Sequence, residues 1–203
     1  MSLSLVVGTR ARDTDDAELA RSLAAGEPWA ITETWHRFAP MVLTMAERSL
    51  GSRAEAEEVA QEVFCCVFRK ASTLRDPGSL RSFVYSFAVR VVKAELRRRK
   101  VRGWFPFLRV DLPADAGVPT LDLESRDLLR KLYVLLDRLT PRDRLAFVLR
   151  RMEFKTVQEI ATTLDISTST AKRSIAHASS RLSAWIDLDP GLAALIRERR
   201  GEP

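Results

Sequence analysis

A chain of 203 residues has room for one ordinary domain or two small ones, and 46% apolar with 30% charged residues describes a globular chain. Its apolar runs are short and broken by charge, which excludes a bilayer-spanning helix, and the opening MSLSLVVGTRARD lacks the flanks and apolar length of a signal peptide. The net charge of +6 favours an anionic partner; the chain is expected in the cytoplasm, without membrane insertion.

Apolar residues recur at helical spacing and no stretch sustains strand alternation, so the predicted fold class is all-α. Two small helical domains joined by a flexible linker are expected, the second containing a helix-turn-helix. The expected boundaries are a disordered start over 1–14, a first domain over 15–100, a linker over 101–120, a second domain over 121–186 and a tail over 187–203.

In chain order, Asp16 to Ala24 reads as a short helix ending near Gly26. Trp35, Phe38, Val42, Met45 and Ser49 then step along one helical face, and Gly51 stands where a carboxyl-terminal cap is wanted. Ser52 is placed to cap the next helix, with Ala56, Ala60, Val63, Val67 and Leu74 on one side. Cys65 and Cys66 are adjacent there. They cannot staple distant segments and are too few for a zinc cage, so they read as reduced thiols packed inside the helix. No metal or other cofactor is expected. Turn residues Arg75 to Ser79 end the segment. Leu80, Val84, Phe87, Val91 and Ala94 are the predicted inner stripe of a fourth helix.

Charge is unevenly spread. From Val89 to Gly103 the bases Arg90, Lys93, Arg97, Arg98, Arg99, Lys100 and Arg102 face one acid, Glu95. From Ala54 to Phe68, Glu55, Glu57, Glu58 and Glu62 stand without a base. Such polarity suits two different partners.

Pro106, Pro113 and Pro119 forbid a regular helix across the linker. Extended, its roughly 20 residues reach on the order of 65 Å, nearly two turns of B-DNA at about 34 Å each. Its apolar cluster Trp104, Phe105, Phe107, Leu108 is expected to pack on a domain or a partner. The second domain opens with Leu128, Leu132, Leu135 and Leu139 on one face. Thr140 and Pro141 then start a helix that buries Leu145, Val148, Leu149 and Met152.

The strongest local pattern follows. Thr156 and Glu159 form a predicted capping box, with Val157, Ile160, Ala161 and Leu164 inside. Asp165-Ile166-Ser167 is the turn, and Ser167 caps a helix whose buried stripe is Ala171, Ile175, Ala178 and Leu182. Small Ala161 and Ala171 let the two helices cross closely, which defines a helix-turn-helix. A step of 100° per residue puts Arg173 opposite the stripe, near Ser169, Ala176 and Ser180 and flanked by Thr170, Lys172 and His177. Side chains of this kind read base edges and hold phosphates in a major groove. The tail is expected to add a short helix over Leu192 to Arg199.

The order of parts narrows the field. EAEEVAQEVFCCVF (Glu55 to Phe68) resembles the core helix of extracytoplasmic-function RNA polymerase sigma factors, members of the superfamily typified by the primary sigma factor, through Glu57, Glu58, Gln61, Glu62, Val63 and Phe64. DDAELARSLAAGEPWAITETWHRFAP is similar to that family's first helices and SFVYSFAVRVVKAELRRRK to its promoter-melting helix. LTPRDRLAFVLRRMEFKTVQEIATTLDISTSTAKRSIAHASSRL is similar to its carboxyl-terminal domain. The resemblance covers Asp15 to about Trp185.

It implies that Glu58, Gln61 and Glu62 dock on core RNA polymerase. Arg90, Lys93, Arg97 and Arg98 would follow the minus-ten phosphates, with Arg75 in the loop that captures a flipped base and Tyr85 or Phe83 stacking on a displaced base. Ser169, Thr170, Lys172, Arg173 and His177 would read minus-thirty-five promoter DNA. An anti-sigma factor is implied as a further partner. The chain departs from the family pattern at Phe83, where tryptophan is usual, at Val91 for asparagine, at Asp165 for glycine, and in Lys172-Arg173-Ser174 for Lys-Ser-Arg; these changes bear on promoter sequence. Two rivals stay open on residues alone: a helix-turn-helix regulator that does not bind core polymerase, and an enzyme. Against the enzyme, His36 and His177 lack metal-ligand spacing and no paired carboxylates stand in a catalytic setting.

Overall fold

The computed structural model describes residues 15–102 and 123–193, with backbone alone at 123 and 124. Eight α-helices follow in order among them: α1 Asp16–Ala24, α2 Pro28–Leu50, α3 Arg53–Lys70, α4 Leu80–Val101, α5 Leu123–Arg138, α6 Pro141–Arg151, α7 Val157–Leu164 and α8 Thr168–Asp187. Short 3-10 turns, Ala71–Thr73 and Pro77–Ser79, link α3 to α4. No strand occurs among the described residues, so the all-α expectation holds.

Local chemistry sets the helix ends. Gly51 adopts φ +76° as the left-handed cap of α2, and its N–H donates to the Glu47 carbonyl at 2.7 Å. The Ser52, Thr140 and Ser167 hydroxyls each accept a backbone N–H three residues on, starting α3, α6 and α8. Between α3 and α4, Asp76 accepts from the Gly78 N–H and the Ser79 hydroxyl, which closes the tight turn.

Helices α1 to α4 pack around Leu19, Phe38, Val42, Met45, Val63, Phe64, Leu80, Val84 and Val92. Each such side chain contributes about 1.5–3 kcal/mol when fully buried. Phe64 stacks on Trp35 (centroids 4.6 Å) and Phe68 (5.8 Å), so it is core. In α4 the buried stripe runs through Leu80, Val84, Ala88, Val91, Val92 and Leu96; Phe87 and Ala94, expected inside, are half-buried. Their displacement follows from α4 having packed neighbours on more than one side, α2 and α3 on one and α6 and α7 on another. Leu74 lies beyond the end of α3, half-buried rather than on its stripe. The thiols also differ from expectation: Cys65 is exposed and Cys66 half-buried, because α3 turns that face outward.

A second cluster joins α5 to α8 through Tyr133, Leu135, Leu136, Leu139, Ala178 and Leu182, with Leu192 beneath. Leu145, Leu149, Ile160, Ala161, Leu164 and Ala171 belong instead to the core that continues from the first four helices. The two expected helical modules are present, and they also pack on one another. The linker cluster at 104–108 and the tail helix beyond 193 lie outside the described residues.

Two non-glycine residues have positive φ, Phe154 (54°) and Asp165 (55°). Asp165 closes the helix-turn-helix turn in the left-handed conformation that the sequence requires there. Phe154 is 83% exposed on the α6–α7 loop, so both its backbone and its ring are unfavourably placed.

Candidate nucleic-acid and polymerase interfaces

The helix-turn-helix is held by reciprocal hydrogen bonds. Thr156 N–H donates to Glu159 Oε2 at 2.7 Å and Glu159 N–H to Thr156 Oγ1 at 3.2 Å. The backbone and hydroxyl of Thr156, then Lys155, hold the Glu159 carboxyl down at about 2. Ile166 N–H reaches back to the Ala161 carbonyl at 3.0 Å, and the Thr168 hydroxyl bonds Gln158 Oε1 at 3.2 Å. Ala161 and Ala171 are buried at the crossing.

This frame turns one face of α8 to solvent: Ser169, Lys172, Arg173, Ala176, His177 and Ser180 are exposed and Thr170 is half-buried. Two expected readers carry structural bonds as well. Thr170 and Ser169 share hydroxyl contacts with Ser167 at 2.8 and 3.0 Å. His177 Nδ1 lies 3.1 Å from Asp143 Oδ2. Burial works against charge on Asp143, yet bonds from Ser174, Thr140 and His177 leave its carboxyl below the ordinary range.

On α4 the cations divide. Arg90, Lys93 and Arg97 line a cleft of about 1110 Å³ with Arg81 and Tyr85, and α7 supplies its opposite wall with Gln158, Glu159, Thr162 and Asp165. Burial and then Arg97 push the Lys93 amine below its ordinary value, with Asp165 opposing. The Arg90 guanidinium lies 4.9 Å from the Phe87 ring centre. Arg98 stands elsewhere, 3.4 Å from Glu62 and 3.0 Å from Glu95. Arg75 is exposed beside the Asp76 turn. Of the two stacking candidates, Phe83 packs edge-on to Phe87, and Tyr85 is half-buried with the Lys155 amine 5.5 Å from its ring. Burial, then Glu153 and Glu159, push the Tyr85 hydroxyl up. On α3, Glu58 and Gln61 are exposed and Glu62 is half-exposed.

Residues 34–102 match the family described as Sigma-70 region 2, and residues 129–182 match Sigma-70, region 4. The chain is 33% identical over 135 residues to the ferric citrate uptake sigma factor FecI of Escherichia coli (strain K12), covering 64% of this chain and 76% of that protein. The chain belongs to the sigma-70 family, as an extracytoplasmic-function factor. This sigma factor directs RNA polymerase to promoters, so core RNA polymerase and promoter DNA are its partners. A solved structure, CnrH in complex with the cytosolic domain of CnrY, shares the fold at TM-score 0.59 and 22% identity, over 86% of this chain and 98% of that one.

Among the described residues of the sigma factor no helix is long and apolar enough to cross a membrane. Its family is one of transcription initiation factors without a catalytic role. What the residue pattern did not reveal is the contact between region 2 and region 4. Arg144 of α6, 1% exposed, donates from Nε to the Ser49 carbonyl at 2.7 Å and from Nη2 to the Leu50 carbonyl at 3.3 Å, and pairs with Asp137. Arg99 of α4 donates to the same Leu50 carbonyl at 3.1 Å and pairs with Glu55. Burial, with Arg144 adding to it, lowers Arg99 to about 10. The one available signal was that Asp143 and Arg144 interrupt the α6 pattern beside Leu145, yet both are buried.

Proposed function

We propose that this sigma factor opens promoters through three separate surfaces. The exposed face of α8, centred on Arg173 with Lys172, Ser169, Thr170 and His177, reads minus-thirty-five duplex in the major groove. Arg90, Lys93 and Arg97 follow the minus-ten backbone, while Arg75 and Tyr85 hold the displaced strand. Glu58, Gln61 and Glu62 dock on core polymerase, and Arg98, paired with Glu62 and Glu95, extends the minus-ten row toward that face.

The observation that carries the reading is a solvent-facing row of basic and hydroxyl side chains on a helix whose position is fixed at its start by caps and a tight turn. Capture of unpaired bases offsets the few kcal/mol needed to unstack them, so no chemical step is required and the factor acts without catalysis. We place it in the cytoplasm with the polymerase, and infer an anti-sigma factor as a further partner.

Run-off transcription with core polymerase tests this. Wild type yields a product from a matching promoter. Charge reversal at Glu58 and Glu62 removes both the product and retention of core polymerase in a pull-down. Full retention by the reversed variant defeats the polymerase assignment.

A further inference from the structure

We infer that Asp143 of α6 is a positioning residue for promoter reading: it holds His177 so that Nε2 accepts a hydrogen bond from an amino base, adenine or cytosine, in the minus-thirty-five element. The inference deepens the α8 assignment made above and rests on it.

Asp143 stands in the first turn of α6, where its own N–H donates to Thr140 Oγ1 at 3.1 Å. One residue on, Arg144 turns into the seam between the two modules, to the Ser49 carbonyl. Asp143 turns onto α8 instead. Its side chain is 5% exposed, whereas that of His177 is 55% exposed. Ser174 and Thr140 bond to the same carboxyl, so it is held against the ring rather than free to swing away. One group is thus fixed in the interior and the other is aimed outward by it.

The position of the ring hydrogen follows from the partner. An ionised carboxylate only accepts. Nδ1, 3.1 Å from Asp143 Oδ2, is therefore the nitrogen that carries hydrogen. In the neutral ring the other nitrogen, Nε2, then offers a lone pair and no hydrogen.

What that lone pair can meet in a major groove is limited. Adenine N6 and cytosine N4 present amino hydrogens, while guanine N7 and O6 and thymine O4 only accept, as phosphate oxygens do. Nε2 therefore attracts an amino base and repels a keto base or a phosphate. The cations of the same face work in the opposite sense: Lys172 and Arg173 are exposed there and can only donate. Arg142 adds another donor 3.8 Å from the Asp143 carboxyl. A further cation at position 177 would hold phosphate whatever the sequence. An obligate acceptor there carries sequence information instead.

The test reads base preference in the holoenzyme. Duplexes carrying each base in turn through the minus-thirty-five element compete for wild type, His177→Ala and Asp143→Asn. His177→Ala should relax one position, at which wild type favours adenine or cytosine on one strand over guanine or thymine by roughly five- to tenfold. Asp143→Asn should lose that preference or turn it toward the keto bases, because an amide nitrogen facing Nδ1 moves the ring hydrogen to Nε2. Each preference is a ratio measured within one protein, so a general loss of stability leaves it unmoved. A merely structural Asp143 would lower affinity for all bases alike. A second arm needs no variant: nitrogen-15 chemical shifts of the full-length wild type should show His177 with hydrogen on Nδ1 alone. No position relaxed by His177→Ala, a keto preference there in wild type, the amino preference kept by Asp143→Asn, or ring hydrogen on Nε2 of the wild type each overturns the inference. Failure of the α8 assignment shows separately, as an Arg173→Ala holoenzyme with unaltered promoter affinity and specificity.

Discussion

The two surfaces that suit DNA stand in opposite states within one molecule. On α8, Lys172 and Arg173 project into solvent, and the helix behind them is fixed by its own caps. On α4, Lys93 and its neighbours look into a cleft whose other wall is α7, the first helix of the same helix-turn-helix. The α8 row stands free of other elements, whereas the α4 row borders a cleft in which Lys93 is half-buried and Arg90 and Arg97 stay exposed. The difference teaches that affinity for the two promoter elements need not arise together.

The comparison is most sharply tested at Arg173. Arg173→Ala should weaken minus-thirty-five binding by about 1–3 kcal/mol and relax specificity at one base pair; a competition assay in free chain and holoenzyme alike checks it, since that face is open in both. Arg97→Ala should lower promoter affinity evenly across sequences and reduce the salt slope by about 1, without relaxing specificity. A sequence-dependent loss at Arg97 would erase the difference between the two surfaces. Phe154, on the loop that brings Glu153 and Lys155 to the seam, offers a smaller effect. Phe154→Gly should raise stability by about 1 kcal/mol by removing positive-φ strain, read as an increased Tm.

The smallest effect is electrostatic. Glu159, held at about 2, favours the folded helix-turn-helix at every pH above the ordinary carboxyl value near 4.5, and that contribution is lost as pH falls toward 2. Carboxyl chemical shifts should place its midpoint well below those of exposed glutamates, and Glu159→Gln should flatten this part of the acid limb.

What the residues disclosed in advance was local. Ser52, Thr140, Thr156 and Ser167 formed the caps expected of them, because a cap is settled within four residues. Asp165 took the left-handed turn for the same reason. The seam was illegible because its acceptors are backbone carbonyls, which no residue type advertises, and its donors look like ordinary surface arginines. Arg144 lies 95 positions from the carbonyl of Ser49 it binds. The α4 stripe was misjudged at Phe87 and Ala94 for a related reason: a helix packed on several sides does not show a single apolar face.

The glycine at position 51 bears on how this protein can change over generations. Its left-handed backbone ends α2, and the aromatic ring above it leaves space for a hydrogen atom and nothing larger. Helix termination and module closure thus share one genetic locus. A lineage cannot tune how firmly the halves close by altering that position without also fraying the helix; such tuning has to happen at the arginines around it, where a change in grip leaves the joint itself intact.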